Sequence, residues 1–181
     1  FDLETLDAFF RLLPRDTLAA SALAQQHDER VTGRVHFDVD RKRPMRHAIE
    51  VRHESFRVPE FIALLRKHGI ALVCADTVEW PLMMDVTADF IYCRLHGSQQ
   101  LYASGYGDKA LRRWASFAAS WARGGDPRSD YPRRGEHIAE QRPRRRMRRD
   151  VFIFFDNDAK VRAPFDAQRL KSLIADAGAE G

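Results

Sequence analysis

Cysteine is nearly absent from this 181-residue chain, and the two present, Cys74 and Cys93, lie in apolar stretches without metal-type spacing. That count excludes a disulfide framework and a cysteine zinc site, so both thiols read as small core residues. No apolar run approaches the roughly 18 residues needed to span a bilayer. The opening segment carries Asp2, Glu4 and Asp7 where a secretory signal would be basic. The cytoplasm is therefore the expected compartment, with no membrane partner. A Gly-rich nucleotide fingerprint and a recognisable nucleophile motif are missing as well, which removes the best-marked nucleotide-binding and nucleophilic enzymes. What is present, 44% hydrophobic and 31% charged residues, suits a soluble globular α/β unit.

Lysine is scarce too: 25 of the 30 basic residues are arginine. Nine of them fall in residues 128–149 against Asp130, Glu136 and Glu140, leaving the body of the protein slightly acidic under a formal net charge of +4. Such a run suits phosphate backbones. Pro127, Pro132, Gly135 and Pro143 interrupt it, however, and it has no aromatic ladder beyond Tyr131, whereas single-strand platforms need stacking aromatics. Residues 126–149 are expected to form an inserted Arg-rich loop, solvent-exposed, mobile and dispensable for the fold, because connections in α/β units usually run to about 2–6 residues.

Helices are expected after Asp2, from Asp16 to His27, from Pro59 to the residue before Gly69, from Asp108 to Gly124, and from Asp166 to Ala177, each from its caps and apolar spacing. Strands are expected near 48–53, 70–75, 90–96 and 151–155, each followed by a helix, which predicts βα units and a parallel sheet. Side chains alternate along a strand, so Glu50 and Arg52 share one face, and Tyr92, Arg94 and His96 share another. A carboxylate, two guanidiniums and an imidazole must pair or reach water, since an unpaired charge is costly to bury. Glu50 with Arg52 reads equally well as a structural ion pair, and His96 alone as a hydrogen-bonded structural histidine. All four strands nevertheless end in polar groups, counting Asp76 and Asp156-Asn-Asp158, and ligands bind at strand carboxyl ends in open α/β sheets and barrels.

The segments Arg46-His-Ala-Ile-Glu-Val-Arg-His-Glu-Ser55, Ala75-Asp-Thr77, Asp85-Val-Thr-Ala-Asp-Phe-Ile-Tyr-Cys-Arg-Leu-His-Gly97, Leu101-Tyr-Ala-Ser-Gly-Tyr106 and Phe155-Asp-Asn-Asp158 carry a resemblance. In order and spacing they resemble the YecE-like family, domain of unknown function 72, over nearly the whole chain except the Arg-rich loop. The resemblance implies a TIM-barrel-like (β/α) fold, of which residues 1–181 would supply only the last four βα units as one partial domain. The family's Gly-Thr-Ser-Gly-Trp start is missing, and the chain opens on Phe1, so a partial barrel is expected. In that barrel the Arg-rich loop would sit at the amino-terminal face, away from the ligand site. Many relatives carry an asparagine where Asp156 stands, so no role for Asp156 is implied.

These readings converge on an enzyme for a small phosphorylated or carboxylated substrate, a hydrolase, lyase or isomerase. His96 and Glu50 are the candidate catalytic residues, and Arg52 with Arg94 would clamp the anion. Asp76, His53, Asn157 and Tyr106 would complete substrate binding, with residues 97–107 as a phosphate-site loop. A divalent metal on Glu50, Asp76, His96 and Asp156 is a weaker version, opposed by the adjacent arginines; no cofactor is identified. The alternative is a non-catalytic nucleic-acid- or nucleotide-binding barrel that uses the Arg-rich loop. A partial barrel would also leave its outer strands unpaired, which predicts self-association.

Overall fold

The computed structural model describes residues 1–97, 105–127, 135–141, 147–157 and 161–179. They divide into two compact units, Asp2–His47 and Ala48–Gly181, with Phe1 belonging to the second. In the first unit, α1 (Leu3–Leu12) and α2 (Thr17–Ala24) both begin at an aspartate. Asp2 accepts from the Thr5 N–H at 3.0 Å and Asp16 from the Ala19 N–H at 2.9 Å, satisfying donors that a helix's first turn leaves without partners. Thr17 then fastens the returning chain, its N–H donating to the Arg43 carbonyl at 3.0 Å and its hydroxyl to that of Arg41 at 2.9 Å.

The second unit is built on four parallel strands in the order β1 (Ala48–Ile49), β2 (Ala71–Asp76), β4 (Phe90–Leu95), β6 (Asp150–Phe155). β2 is buried along its whole length, as its unbroken apolar run requires of a central parallel strand. It is fed by α3 (Pro59–His68), which carries proline in its first turn and ends at Gly69, whose φ of 63° is the left-handed conformation glycine adopts without steric cost. α4 (Asp108–Ala122) and α5 (Arg162–Ala179) cover one sheet face. Leu111, Trp114 and Trp121 of α4 and Leu170 and Leu173 of α5 pack there with Ile91, Cys93 and Leu95 of β4 and Val151, Ile153 and Phe155 of β6. Cys74 and Cys93 meet in register across β2 and β4 inside this core as free thiols.

Several expectations need correction. β1 pairs for two residues rather than over 48–53, since the chain leaves the ladder for a 3₁₀ turn at Glu54–Phe56. No helix follows β2; the crossover to β4 contains only the short β3 (Leu82–Met83), enough chain to return to a parallel neighbour without a helix. Asp108 is the first residue of α4 and not its cap, because its carboxylate is taken by Arg169 of α5 at 3.1 Å. α5 starts at Arg162, ahead of Asp166.

The Arg-rich segment departs furthest from expectation. Residues 128–134 and 142–146 lie outside the described residues, but β5 (Gly135–Glu136) pairs in parallel with β3. The Ile138 and Ala139 N–H groups donate to the two oxygens of buried Asp85 at 2.7 and 3.0 Å. Arg149 is buried, donating to the Gly125 carbonyl at 2.9 Å. Although Glu140, Gln141, Met147 and Arg148 are exposed as expected, residues 138–139 and Arg149 are anchored to the body of the fold, because a buried carboxylate and a buried guanidinium both require partners. Replacing Asp85 by Ala should lower the unfolding free energy by about 1–3 kcal/mol, the cost of stranding buried donors. Urea unfolding of D85A checks this, and an unchanged midpoint would refute the anchoring role.

Candidate functional site

The parallel register sorts the polar strand ends into two groups. Ala75 pairs with Arg94 and Asp76 with Leu95, while Arg94 pairs with Phe154. Alternation then turns Arg94, His96 and Asp156 to the face away from α4 and α5, and Asp76 and Asn157 to the helix side. Glu50 and Arg52, beyond the end of β1, join the first group.

Arg94 is the hub on that face. One of its Nη atoms pairs with Glu50 Oε2, and the other lies 2.6 Å from Asp156 Oδ2. Arg52 Nε donates to Glu50 Oε1 at 3.0 Å. The His96 ring sits between the two carboxylates, with Nε2 3.5 Å from Glu50 Oε1 and Nδ1 3.6 Å from Asp156 Oδ2. Trp80, from the β2–β3 loop, meets the His96 ring edge-on at 5.5 Å, and the Arg52 guanidinium lies 4.5 Å from the Trp80 ring centre. Access is graded: the side chains of Arg52, Arg94, Asp156, Glu50 and His96 are 51%, 31%, 29%, 12% and 0% exposed. A ligand arriving at this face meets the arginines and Asp156 first and reaches His96 last.

Burial raises the cost of ionising Glu50, yet the hydrogen bond and charge of Arg94 outweigh it and hold this carboxyl below its usual range. Burial and then Arg94 push His96 down, against the upward pull of Glu50 and Asp156, so the imidazole is neutral near pH 7. Two guanidiniums and two carboxylates therefore balance around a neutral ring.

The second group is a buried network. Tyr106 accepts from the Gly97 N–H at 3.0 Å through its hydroxyl, which also contacts Asp76; burial first and Asp76 next push the phenol far up. Gly97 has a φ of 104°, so the turn that brings its N–H to Tyr106 favours glycine. Asp166 Oδ2 accepts from the Tyr106 N–H at 3.0 Å and from Asn157 Nδ2 at 2.8 Å. Asp76, Tyr106 and Asn157 thus belong to a hydrogen-bonded network on the helix side that links the ends of β2, β4 and β6 to α5, apart from the first group. His53, exposed, uses its Nδ1 to accept from the Ser55 N–H at 3.1 Å and caps the 3₁₀ turn. Trp80 and Asp166 are residues that sequence reasoning gave no place in the site, and Asp156 entered it only as a possible metal ligand. For Asp156 the signal was its even spacing from Phe154; for Trp80 it was only an aromatic following a strand end. Of the expected phosphate-site loop, residues 98–104 lie outside the described residues, as does Asp158.

A cavity of about 240 Å³ lined by Glu54, Thr77, Glu79 and Trp80 adjoins the cluster. A larger one of about 790 Å³ lies elsewhere, bordered by Arg66, Asp89, Glu140 and Arg149. Its arginines donate to backbone carbonyls of Val86 and Gly125, so the ionic cluster, where titratable groups converge, is the better site. Among the described residues no three His, Cys, Asp or Glu side chains gather as a metal ion would require, and no helix is long and apolar enough to cross a membrane.

A family model described as a protein of unknown function, DUF72, matches residues 1–180. Two crystal structures of a DUF72 family protein from Enterococcus faecalis align with this chain. One has a TM-score of 0.51 at 15% identity, covering 72% of this chain and 48% of that one. The other has a TM-score of 0.47 at 16% identity, covering 72% and 49%. The chain spans about half the length of these solved relatives. No curated protein sequence matches it.

The depressed His96 pKa has a consequence for stability. An unfolded histidine titrates near 6.5, so between that value and the lower folded value the unfolded chain binds more protons, and stability falls as pH falls. Glu50 acts in the same direction at lower pH, since its carboxylate form is the one the fold favours. Urea midpoints from pH 8 to pH 5 should therefore drop more steeply for the wild type than for H96N, and parallel profiles would contradict the assignment.

Proposed function

The chain belongs to the DUF72 family of proteins of unknown function, and from the charge pattern of its site we propose an enzyme for a small phosphorylated or carboxylated substrate, working at the carboxyl ends of part of a β/α barrel. The barrel reading is supported by four parallel strands with ionisable groups at one end. One observation carries the functional reading. Arg52, half-exposed, is held through Nε by Glu50 and lies against Trp80, which fixes its plane at the mouth of the cluster. A guanidinium restrained in this way recognises a phosphate or carboxylate with little further ordering.

The two arginines do different work. Both Nη atoms of Arg94 are engaged by Glu50 and Asp156, so Arg94 positions the carboxylates, and Arg52 is the anion anchor. Asp156 and Glu50, both partly open, are the groups a bound substrate touches and the candidates for general acid and base. His96 lies behind them. The proton chemistry of this set fits a hydrolase, lyase or isomerase.

Screening phosphorylated and carboxylated small molecules for thermal stabilisation, then for turnover, tests the reading, with inorganic phosphate as competitor. Ligands found this way should bind R52A more weakly by about 1.5–3 kcal/mol, the range for hydrogen bonds to charged groups. D156N should keep binding and lose turnover. Binding indifferent to R52A would rule out the anchor.

A further inference from the structure

We propose that Glu50, His96 and Asp156 form one proton relay, in which the buried imidazole passes a proton between two carboxylates that both open toward the same face. The inference rests on reading this cluster as an acid–base site, and it adds that the two carboxylates act as one unit rather than as separate groups.

The geometry behind it is a ring with a carboxylate opposite each nitrogen. Nε2 faces Glu50 from the end of β1, and Nδ1 faces Asp156 from the end of β6. A neutral imidazole has one N–H, so it can donate to only one of them while its other nitrogen faces the second with a lone pair. The two tautomers are therefore mirror arrangements of the same cluster. Arg94 keeps them balanced, because a single guanidinium holds both carboxylates and neither can turn away without losing it. The ring itself is fixed. Its backbone N–H donates to the Asp76 carbonyl at 2.9 Å, Trp80 closes over its edge, and its side chain has no exposed surface. Among the described residues, Arg52 is the further charge that acts on the ring, and it is paired with Glu50.

The transfer balances without any further reagent. A proton arriving on Asp156 Oδ2 moves to Nδ1 as the proton on Nε2 moves to Glu50 Oε1. One proton has crossed the cluster, the ring is neutral again, and its tautomer has switched. The separations of 3.5 and 3.6 Å are longer than hydrogen bonds, so the transfer requires each carboxylate to close on the ring by a few tenths of an ångström. A site of this kind takes a proton at one carboxylate and delivers it at the other.

Long-range ¹H–¹⁵N spectra of the ¹⁵N-labelled full chain between pH 7 and 8 test the relay. In the wild type both His96 ring nitrogens should resonate at averaged positions between bare and protonated nitrogen. E50Q should lock the proton on Nδ1, and D156N should lock it on Nε2. A wild-type ring held in a single tautomer overturns the proposal, and this measurement decides even if a variant fails to fold. Titrating the same wild-type and R52A samples with inorganic phosphate separates the two readings. Averaged nitrogens without Arg52-dependent phosphate binding keep the relay and remove the anionic substrate; phosphate binding with a fixed tautomer does the reverse.

Discussion

The two-residue period of parallel strands in fixed register is the constraint on which the site depends. Because β2, β4 and β6 share one register, a residue's parity decides whether it meets the α4/α5 layer or the opposite face. Arg94 and Asp156 fall on one side, while Asp76 and Asn157 fall on the other. A one-residue slip of β6 against β4 would exchange Asp156 for Asn157, leaving Arg94 with an amide in place of a counter-charge. The helix-side network guards against that slip, since Asn157 and the Tyr106 backbone converge on the single carboxylate of Asp166.

Electrostatic balance explains why such a cluster can stand partly sheltered from water. Four formal charges lie around a neutral ring, and each guanidinium has a carboxylate within contact distance. Removing one member would expose the rest to the penalty of an unmatched charge, which is why breaking a pair costs more than the pair contributes. On the proposed reading, an incoming anion would meet donors at Arg52 without a large net positive field behind them, so its recognition would depend on geometry at short range.

Much of this was legible in the sequence. The four strand cores, the aspartate starts of α1 and α2 and the glycine end of α3 follow from local patterns, and the shared face of Arg94 and His96 follows from alternation. The same rule, carried past the last residue of β6, puts Asp156 on the face of Arg94 and Asn157 on the other, and at β2 it puts Asp76 with Asn157. Other features had no local signal. Residues 135–141 look like linker by composition, and only their pairing with β3 and the donors they offer to Asp85 make them structural. The cap that His53 makes with the Ser55 N–H, two residues along the chain, is a local hydrogen bond that residue type alone does not decide.

Cys74 and Cys93 offer a different kind of access to this molecule. They face each other across the two central strands, sealed beneath α4, with the Cys93 thiol pushed well up by burial and by Cys74. A thiol reagent can reach them only after the helical layer lifts from the sheet, so their labelling rate is a clock for that opening. Protein made in an ordinary reducing cytoplasm carries this clock without any engineered probe, and it reports on the core without touching the charged face.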